Sequence, residues 1–481
     1  MRLPEDFVAA DSIALTRRGY LGAVGVVLLL CSAHVHAGQW RVTPSVSVGE
    51  TYTDNVDLAP DSEKRHEFIT ELNPGLTVRG DGRRVDVVLD YVMQNFFYGR
   101  ESELNTTAHQ LQLTSTAELV RRYFFIDVGG TVTRQAISPE DDAFTTRLNS
   151  SNATDVATWS ISPYLTTRLG RQARAELRYD FSDVAYDDAD TVGGATQAVS
   201  ADVVGASANP NAPSWRVSYL REDVDYDNAT DARFESIDAQ VGWPLTRHVQ
   251  GLLTLGYEDN TFAQAASESD PEGSLWLVGV RWSPDQDTVF EVQGGERYFG
   301  ETYSALFSTT KARFGWDVVY TEENVSVLQE QLQQRIFNEN AELLPSRLDF
   351  LELSDEITFT RRAEMTLRMQ TRHHASSVAL FQEQRESRLD GSGERLIGGD
   401  VTDRWRVTST DTVVLSVRAQ RQKFQDDSRV DELYDISGGV ERALGRRASV
   451  RLTYRYSTRN SNEDASDFVE NSLIGRVSAS F

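Results

Sequence analysis

Through much of this chain apolar and polar residues take turns, one for one. Between Trp40 and Val48 the even positions are Trp40, Val42, Pro44, Val46 and Val48, and the odd ones are polar. Val85, Val87, Leu89, Tyr91 and Met93 alternate with Asp86, Asp90 and Gln94, and Ala173, Ala175, Leu177, Tyr179 and Phe181 with Arg174, Glu176, Arg178 and Asp180. The scheme returns at Trp276–Trp282, Ala312–Tyr320, Ala363–Met369, Val413–Ala419 and Ala448–Tyr456. A strand turns successive side chains to opposite faces, so each segment shows one face to an apolar medium and the other to a polar one. After Ala37 no apolar run reaches the roughly 18 residues of a spanning helix.

The connections alternate too. Short turns are predicted at Gly80-Asp81-Gly82, Val120-Arg121-Arg122, Gly170-Arg171-Gln172, Asn209-Pro210-Asn211, Thr246-Arg247-His248, Pro284-Asp285-Gln286, Ser308-Thr309-Thr310, Arg361-Arg362, Ser409-Thr410-Asp411 and Gly445-Arg446-Arg447. Longer, acidic connections fall between them at 53–66, 99–107, 135–155, 182–196, 227–233, 258–273, 326–347, 373–394, 425–432 and 457–470, with a brief link at 299–303. Short periplasmic turns and longer extracellular loops are the rhythm of an outer-membrane barrel, and the spacing predicts about 18–22 antiparallel strands. The fold class is therefore all-β, a transmembrane antiparallel β-barrel over 38–481. Hydrocarbon offers the backbone no partners, so such strands must close into a ring.

Both ends carry signals. Arg17 and Arg18 precede an apolar run from Tyr20 to Ala33, and Val35-His36-Ala37 supplies small residues for cleavage after Ala37. That order reads as a secretory signal peptide over 1–37. At the other end Leu473, Gly475, Val477, Ala479 and Phe481 alternate with polar neighbours. A final amphipathic strand ending on Phe481 resembles the signal that the barrel-assembly machinery recognises.

Composition changes the picture only after the period is known. Of 481 residues 48 are basic and 73 acidic, for a net charge of −25, and 40% are hydrophobic. Phosphate backbones need clustered cations, so nucleic acid is excluded as a partner. The single cysteine, Cys31, lies in the signal segment, which excludes a disulfide framework or a Cys-rich metal site. Only the outward face of a barrel strand must be apolar, so 25% charged residues fit a membrane protein. Trp40, Tyr52, Tyr98, Trp243, Tyr257, Trp282 and Tyr320 stand near strand ends, where interfacial girdles form.

Candidate chemistry is sparse. No histidine stands in a zinc-protease spacing and no G-x-S-x-G occurs, so no catalytic residue, metal or cofactor is assigned and the chain is expected not to be an enzyme. His248 falls in a short turn, and His373-His374 is expected to open an external loop. Asp223-Val224-Asp225-Tyr226-Asp227 opens like a calcium loop but lacks the glycine at position six and the acid at position twelve, and reads as a solvated acidic loop. Glu140-Asp141-Asp142 and Asp187-Asp188-Ala189-Asp190 read likewise. Such carboxylates would hold divalent ions bridging lipopolysaccharide phosphates only weakly. The polar faces are the better candidates. Arg174, Glu176, Arg178, Asp180, Arg368, Arg372, Arg418, Gln420, Arg451 and Arg455 are expected to line the lumen, either as a field across a pore or as ion pairs filling the wall. Val327–Ile336 reads as a short helix within a loop that enters the lumen.

Trp40–Val46, Glu50-Thr51-Tyr52-Thr53-Asp54-Asn55-Val56, Phe68–Leu76 with Pro74-Gly75, and Leu89-Asp90-Tyr91 together resemble the PEP-CTERM system-associated outer membrane proteins of Gram-negative bacteria. The resemblance runs on through Arg297-Tyr298-Phe299-Gly300. It implies a Gram-negative outer-membrane protein tied to exopolysaccharide export and protein sorting, a channel or anchoring component for extracellular polymer. The alternative is a non-conducting structural or adhesive barrel. Expected partners are outer-membrane lipid and lipopolysaccharide, the barrel-assembly machinery, and exopolysaccharide with its export components. No catalytic residue carries over. Asp54-Asn55 suits a turn leaving the first strand, and Pro74-Gly75 a strand kink.

Overall fold

The computed structural model describes residues 38–139, 152–188, 191–205, 212–265, 270–333, 353–424 and 429–481. The expected signal peptide and its cleavage at Ala37, the turn Asn209-Pro210-Asn211, and Glu140-Asp141-Asp142 lie outside these residues. The first strands are β1 Gly38–Thr53, β2 Glu67–Gly82, β3 Val85–Tyr98, β4 Thr106–Val120, β5 Phe124–Ala136, β6 Ala153–Leu169, β7 Ala173–Tyr186 and β8 Gly194–Gly205. They continue as β9 Ser214–Tyr226, β10 Ala232–Pro244, β11 Val249–Asp259, β12 Glu272–Asp285, β13 Thr288–Arg297, β14 Gly300–Lys311 and β15 Phe314–Ser326. A short helix, α1 (Val327–Leu332), precedes β16 Ile357–Gln370, β17 His374–Ser387, β18 Gly393–Arg406, β19 Asp411–Lys423, β20 Val430–Ala443, β21 Ala448–Ser461 and β22 Phe468–Ser480.

Each strand pairs antiparallel with the next, and β1 pairs with β22 from Ser45 opposite Ser480 to Thr53 opposite Ser472. The result is one closed 22-stranded barrel with no free edge. Its two faces follow the predicted alternation. Val278, Leu415 and Val477 are 55%, 53% and 51% exposed and belong to the apolar, outward set. The opposite parity holds most of the arginines and carboxylates; the outward exceptions, such as Arg361 and the pair Arg442–Asp411, stand toward the strand ends. In hydrocarbon an outward arginine at mid-height costs about 2–4 kcal/mol, so the pattern allows one assignment of inside and outside. Chain termini and short turns share one end, the periplasmic one; the longer connections form the extracellular end.

Several turns fall elsewhere than expected. Gly80-Asp81-Gly82 finishes β2, and the turn is Arg83-Arg84; Ser308-Thr309-Thr310 lies inside β14. Arg361-Arg362 is not a turn but part of β16, and 373–394 is not an external loop: it holds β17, the short 388–392 connection and the start of β18. His373 therefore lies in a periplasmic turn and His374 starts β17. Near the rim the outward face may be charged, so alternation stops marking strands there: Arg361 faces out beside Phe359, its guanidinium 4.8 Å from the ring, while Arg362 faces in. Tyr98 is no girdle residue. It is buried on the inner side with Ile69, Phe96 and Ala108. Asp223 and Asp225 stand in β9 rather than in a loop, and Asp223 is ion-paired to Arg233 at 2.6 Å and to Arg221 at 3.1 Å.

Candidate functional site

The inner wall is charged and the charges are matched. Arg178 reaches across β6 to Asp127 at 2.9 Å and lies over the ring of Tyr164, 3.9 Å from its centroid; Glu176 is 3.4 Å away. Arg418 donates to Asp400 at 2.6 Å, while Arg451 pairs with Glu441, Arg455 with Asp435 and Arg368 with Asp317. Arg174 bonds the Thr166 hydroxyl at 3.1 Å. Asp180 and Gln420 share the inward parity of their strands. Arg372 does not line the wall: it sits in the turn after β16 with His373. Arginine suits this duty because its planar fork grips a carboxylate at the water-filled inner face while staying charged.

One element leaves the wall. Ser326 caps α1, its hydroxyl accepting from the Gln329 amide at 3.2 Å while the Gln329 side chain accepts from the Ser326 amide at 2.9 Å. This capping box satisfies two donors that a helix start leaves orphaned. Val327 and Leu328 are buried against Val156 on β6, Val184 and Tyr186 on β7, and Val224 and Tyr226 on β9. Gln329 donates to Glu222 on β9 at 3.0 Å. On the other side of the same helix Glu330 pairs with Arg362 on β16 at 2.6 Å and Arg385 on β17 at 2.5 Å. Glu383 bridges the same two arginines, at 2.8 Å to Arg362. Arg385 and Glu330 are 6% and 8% exposed at the side chain, so the cluster is closed off from bulk water.

Strands β6–β9 and β15–β17 are not neighbours in the sheet, yet one helix touches both. A six-residue helix is about 9 Å long, and through its side chains α1 bridges the two sets of strands at this height. Leu353, just before β16, donates its amide to the Ile137 carbonyl beyond β5 at 3.0 Å, so the chain reaches toward the far wall again before returning. Expectation placed a short helix here with its lumenal role; the ion cluster that holds it was not foreseen, because its partners lie on three separate segments. The stretch 334–347 of the expected helical loop lies outside the described residues.

The shared words near the N-terminus gather at the seam of the ring. Thr53 donates to Glu470 on β22 at 2.8 Å. Asp54 accepts from the Asn471 amide at 2.7 Å and its side chain at 2.8 Å. Asn55, wholly buried, donates to the carbonyls of Ala59 at 2.7 Å and Val469 at 3.0 Å. One level lower, Arg476 of β22 passes over Gly49 of β1 to reach Glu71 of β2. Tyr52 lies outside, tilted against Phe68 with ring centroids 5.0 Å apart. At Pro74 the β2–β3 ladder lapses between Leu72 and Gly75, as a residue without N–H requires, and Gly75 leaves room for the Ser45 hydroxyl. The Phe481 amide closes the lower end of the seam on the Pro44 carbonyl at 2.9 Å. In the first loop Arg65 forks onto Asp57 with two bonds of 2.6 Å, which raises the guanidinium above its ordinary value.

No family model matches the chain, and no curated protein sequence matches it significantly. Among solved structures it is similar to a variant of the ferric enterobactin receptor of Pseudomonas aeruginosa in complex with enterobactin, at 9% identity and a TM-score of 0.51, over 92% of this chain and 81% of that one. A second variant of that receptor, also with enterobactin, aligns at 8% identity and 0.50, with the same coverage of 92% and 81%. At such identity the likeness concerns the fold. The chain is a large outer-membrane β-barrel, and its place is the Gram-negative outer membrane.

Proposed function

We propose that this protein is an outer-membrane channel for extracellular polymer, narrowed at its extracellular half by α1. The observation that carries the reading is the helix itself, seated between opposed walls and fixed by the buried Glu330–Arg362–Arg385–Glu383 cluster. A ring of 22 strands is too wide for wall side chains to fill, so an added element decides what passes. The matched Arg–carboxylate wall offers donors and acceptors for a hydroxylated or charged chain without a net trap of either sign. The resemblance to the PEP-CTERM system-associated proteins supports exopolysaccharide as the cargo and export components as the partners.

No catalytic role is proposed. Among the described residues the group that suggests a triad, Ser376–Asp403–His374, has Ser376 and His374 both bonded to Asp403, at 2.6 and 3.1 Å. A nucleophile must instead give its proton to the histidine. The pairing of the wall arginines and the inward α1 also favour a second reading, a non-conducting barrel that anchors polymer at the surface.

Planar-bilayer recording separates the two. A channel gives unitary conductance steps that soluble oligosaccharides block, and a barrel without steps overturns the first reading. Deletion of the gene in its own cell tests the cargo: exopolysaccharide trapped in the periplasm supports export, and normal surface polymer contradicts it.

A further inference from the structure

The arginines of the periplasmic turns behave unlike those of the wall. Arg83-Arg84, Arg121-Arg122 and Arg446-Arg447 stand in the turns after β2, β4 and β20, all exposed. None of their side chains has an ion pair or hydrogen bond with any described residue. The three turns lie on one arc of the rim that takes in the β1–β22 seam. An apolar residue precedes the turn on the outer face: Leu444 before Arg446-Arg447, and in the same way Leu169 before Arg171 and Leu245 before Arg247, at 56%, 51% and 62% exposure. Trp40, Trp215, Trp243, Trp282 and Trp405 are exposed close to the same ends of their strands.

Together these fix the height of the membrane. On β10 the outward face is apolar from Ile237 through Trp243 and on to Leu245, whereas Arg233 and Glu235 occupy its extracellular end. On β10 the hydrocarbon boundary is thus flush with the short turn; on β20 the outward Arg442, ion-paired to Asp411 at 2.7 Å, puts it slightly deeper, so the turn arginines stand at headgroup depth. At that depth an arginine can lay its stem along apolar residues while its guanidinium reaches phosphate.

We propose that the turn arginines form a binding arc for anionic phospholipid headgroups of the periplasmic leaflet. Guanidinium groups recognise phosphate through paired N–H donors, and a cation close to an anionic surface gains about 5-fold in association. A soluble polyanion approaching the lumen mouth is the competing occupant. Exposed outward residues beside these turns, Leu444 before Arg446-Arg447, Leu119 before Arg121-Arg122 and Trp40 over Gly80 before Arg83-Arg84, favour lipid, because they seat the cations against the membrane rather than over the opening.

The test uses the full mature barrel in phosphatidylcholine vesicles with a trace of spin-labelled phosphatidylglycerol or phosphatidylcholine. The immobilised fraction of each probe gives the relative association constant. The expected result at low salt is a preference for phosphatidylglycerol of about 5-fold. It falls toward unity when the six arginines become glutamine and survives when they become lysine. Heat-shifted gel mobility verifies folding, and the R446Q/R447Q pair gives a partial loss should the six-fold variant not assemble. Equal association of both probes with the wild-type barrel, or a glutamine variant that keeps the preference, overturns the proposal. So does capture of polygalacturonate by the same arginines with no lipid preference.

Discussion

The two ends of this barrel use the same side chain for opposite purposes. At the extracellular half Arg362 and Arg385 are sunk among Glu330 and Glu383, and their charges are consumed in holding a helix inside the ring. At the periplasmic rim Arg121, Arg122, Arg446 and Arg447 are exposed and unmatched among the described residues. Enclosure makes the difference. A charge closed off from water must meet its partner within the protein or it destabilises the fold, whereas a charge at the headgroup level finds water and phosphate outside it. Paired arginine here positions the chain's own elements, and unpaired arginine meets what lies around the barrel.

The largest effect that sharpens this contrast is loss of the Glu330 carboxylate. Glu330→Ala leaves Arg385 buried with only part of its compensation, at a cost of about 3–5 kcal/mol to the seating of α1. Protease cleavage near α1 in folded barrels is expected to appear in the variant and not in the wild type. Arg385→Met together with Glu330→Leu removes both charges and is expected to recover much of the loss; a double variant no better than the single would break the argument from enclosure.

Asn55→Ala comes next. It strips the seam of two carbonyl contacts and leaves those carbonyls short of a donor, for about 1–3 kcal/mol in urea unfolding from vesicles. Thr53→Val and Asp54→Ala at the same seam should be additive with Glu330→Ala, since the sites share no partner. At the other end, R446Q/R447Q is expected to shift unfolding by no more than about 0.5 kcal/mol while lowering the preference for anionic lipid. Smallest of all is the effect of salt on the two populations. Raising NaCl shortens the Debye length toward about 3 Å near 1 M, which should erase lipid preference and leave resistance of α1 to protease nearly unchanged.

Much of the barrel was legible because hydrocarbon imposes a strict rule on one face. Trp276–Trp282 and Val413–Ala419 satisfy that rule and lie in β12 and β19. The rule lapses above the membrane: Arg361-Arg362 broke the alternation and read as a turn, although both sit in β16, one facing out and one in. β17 was hidden for a related reason, with Ser376-Ser377 and Gln382-Glu383-Gln384 polar on both faces. Of the candidate wall residues, those within strands keep the inward parity that alternation assigned them, and Arg372 does not because its strand ends at Gln370. Asn55 reads from the sequence as a turn residue after the first strand, and it is one; its part in closing the ring is not legible there. Its partner carbonyl at Val469 is 414 residues away in sequence, and a pairing of that range belongs to closure of the ring rather than to any local pattern.

The most direct test of the narrowed channel is single-channel conductance of the wild-type barrel against Glu330→Ala, recorded in the same bilayer and salt. Release of α1 from Arg362 and Arg385 should raise the unitary conductance several-fold and weaken block by oligosaccharides. Identical conductance in a variant whose α1 has become open to protease would contradict the account, because the helix would then be seated in the lumen without controlling it.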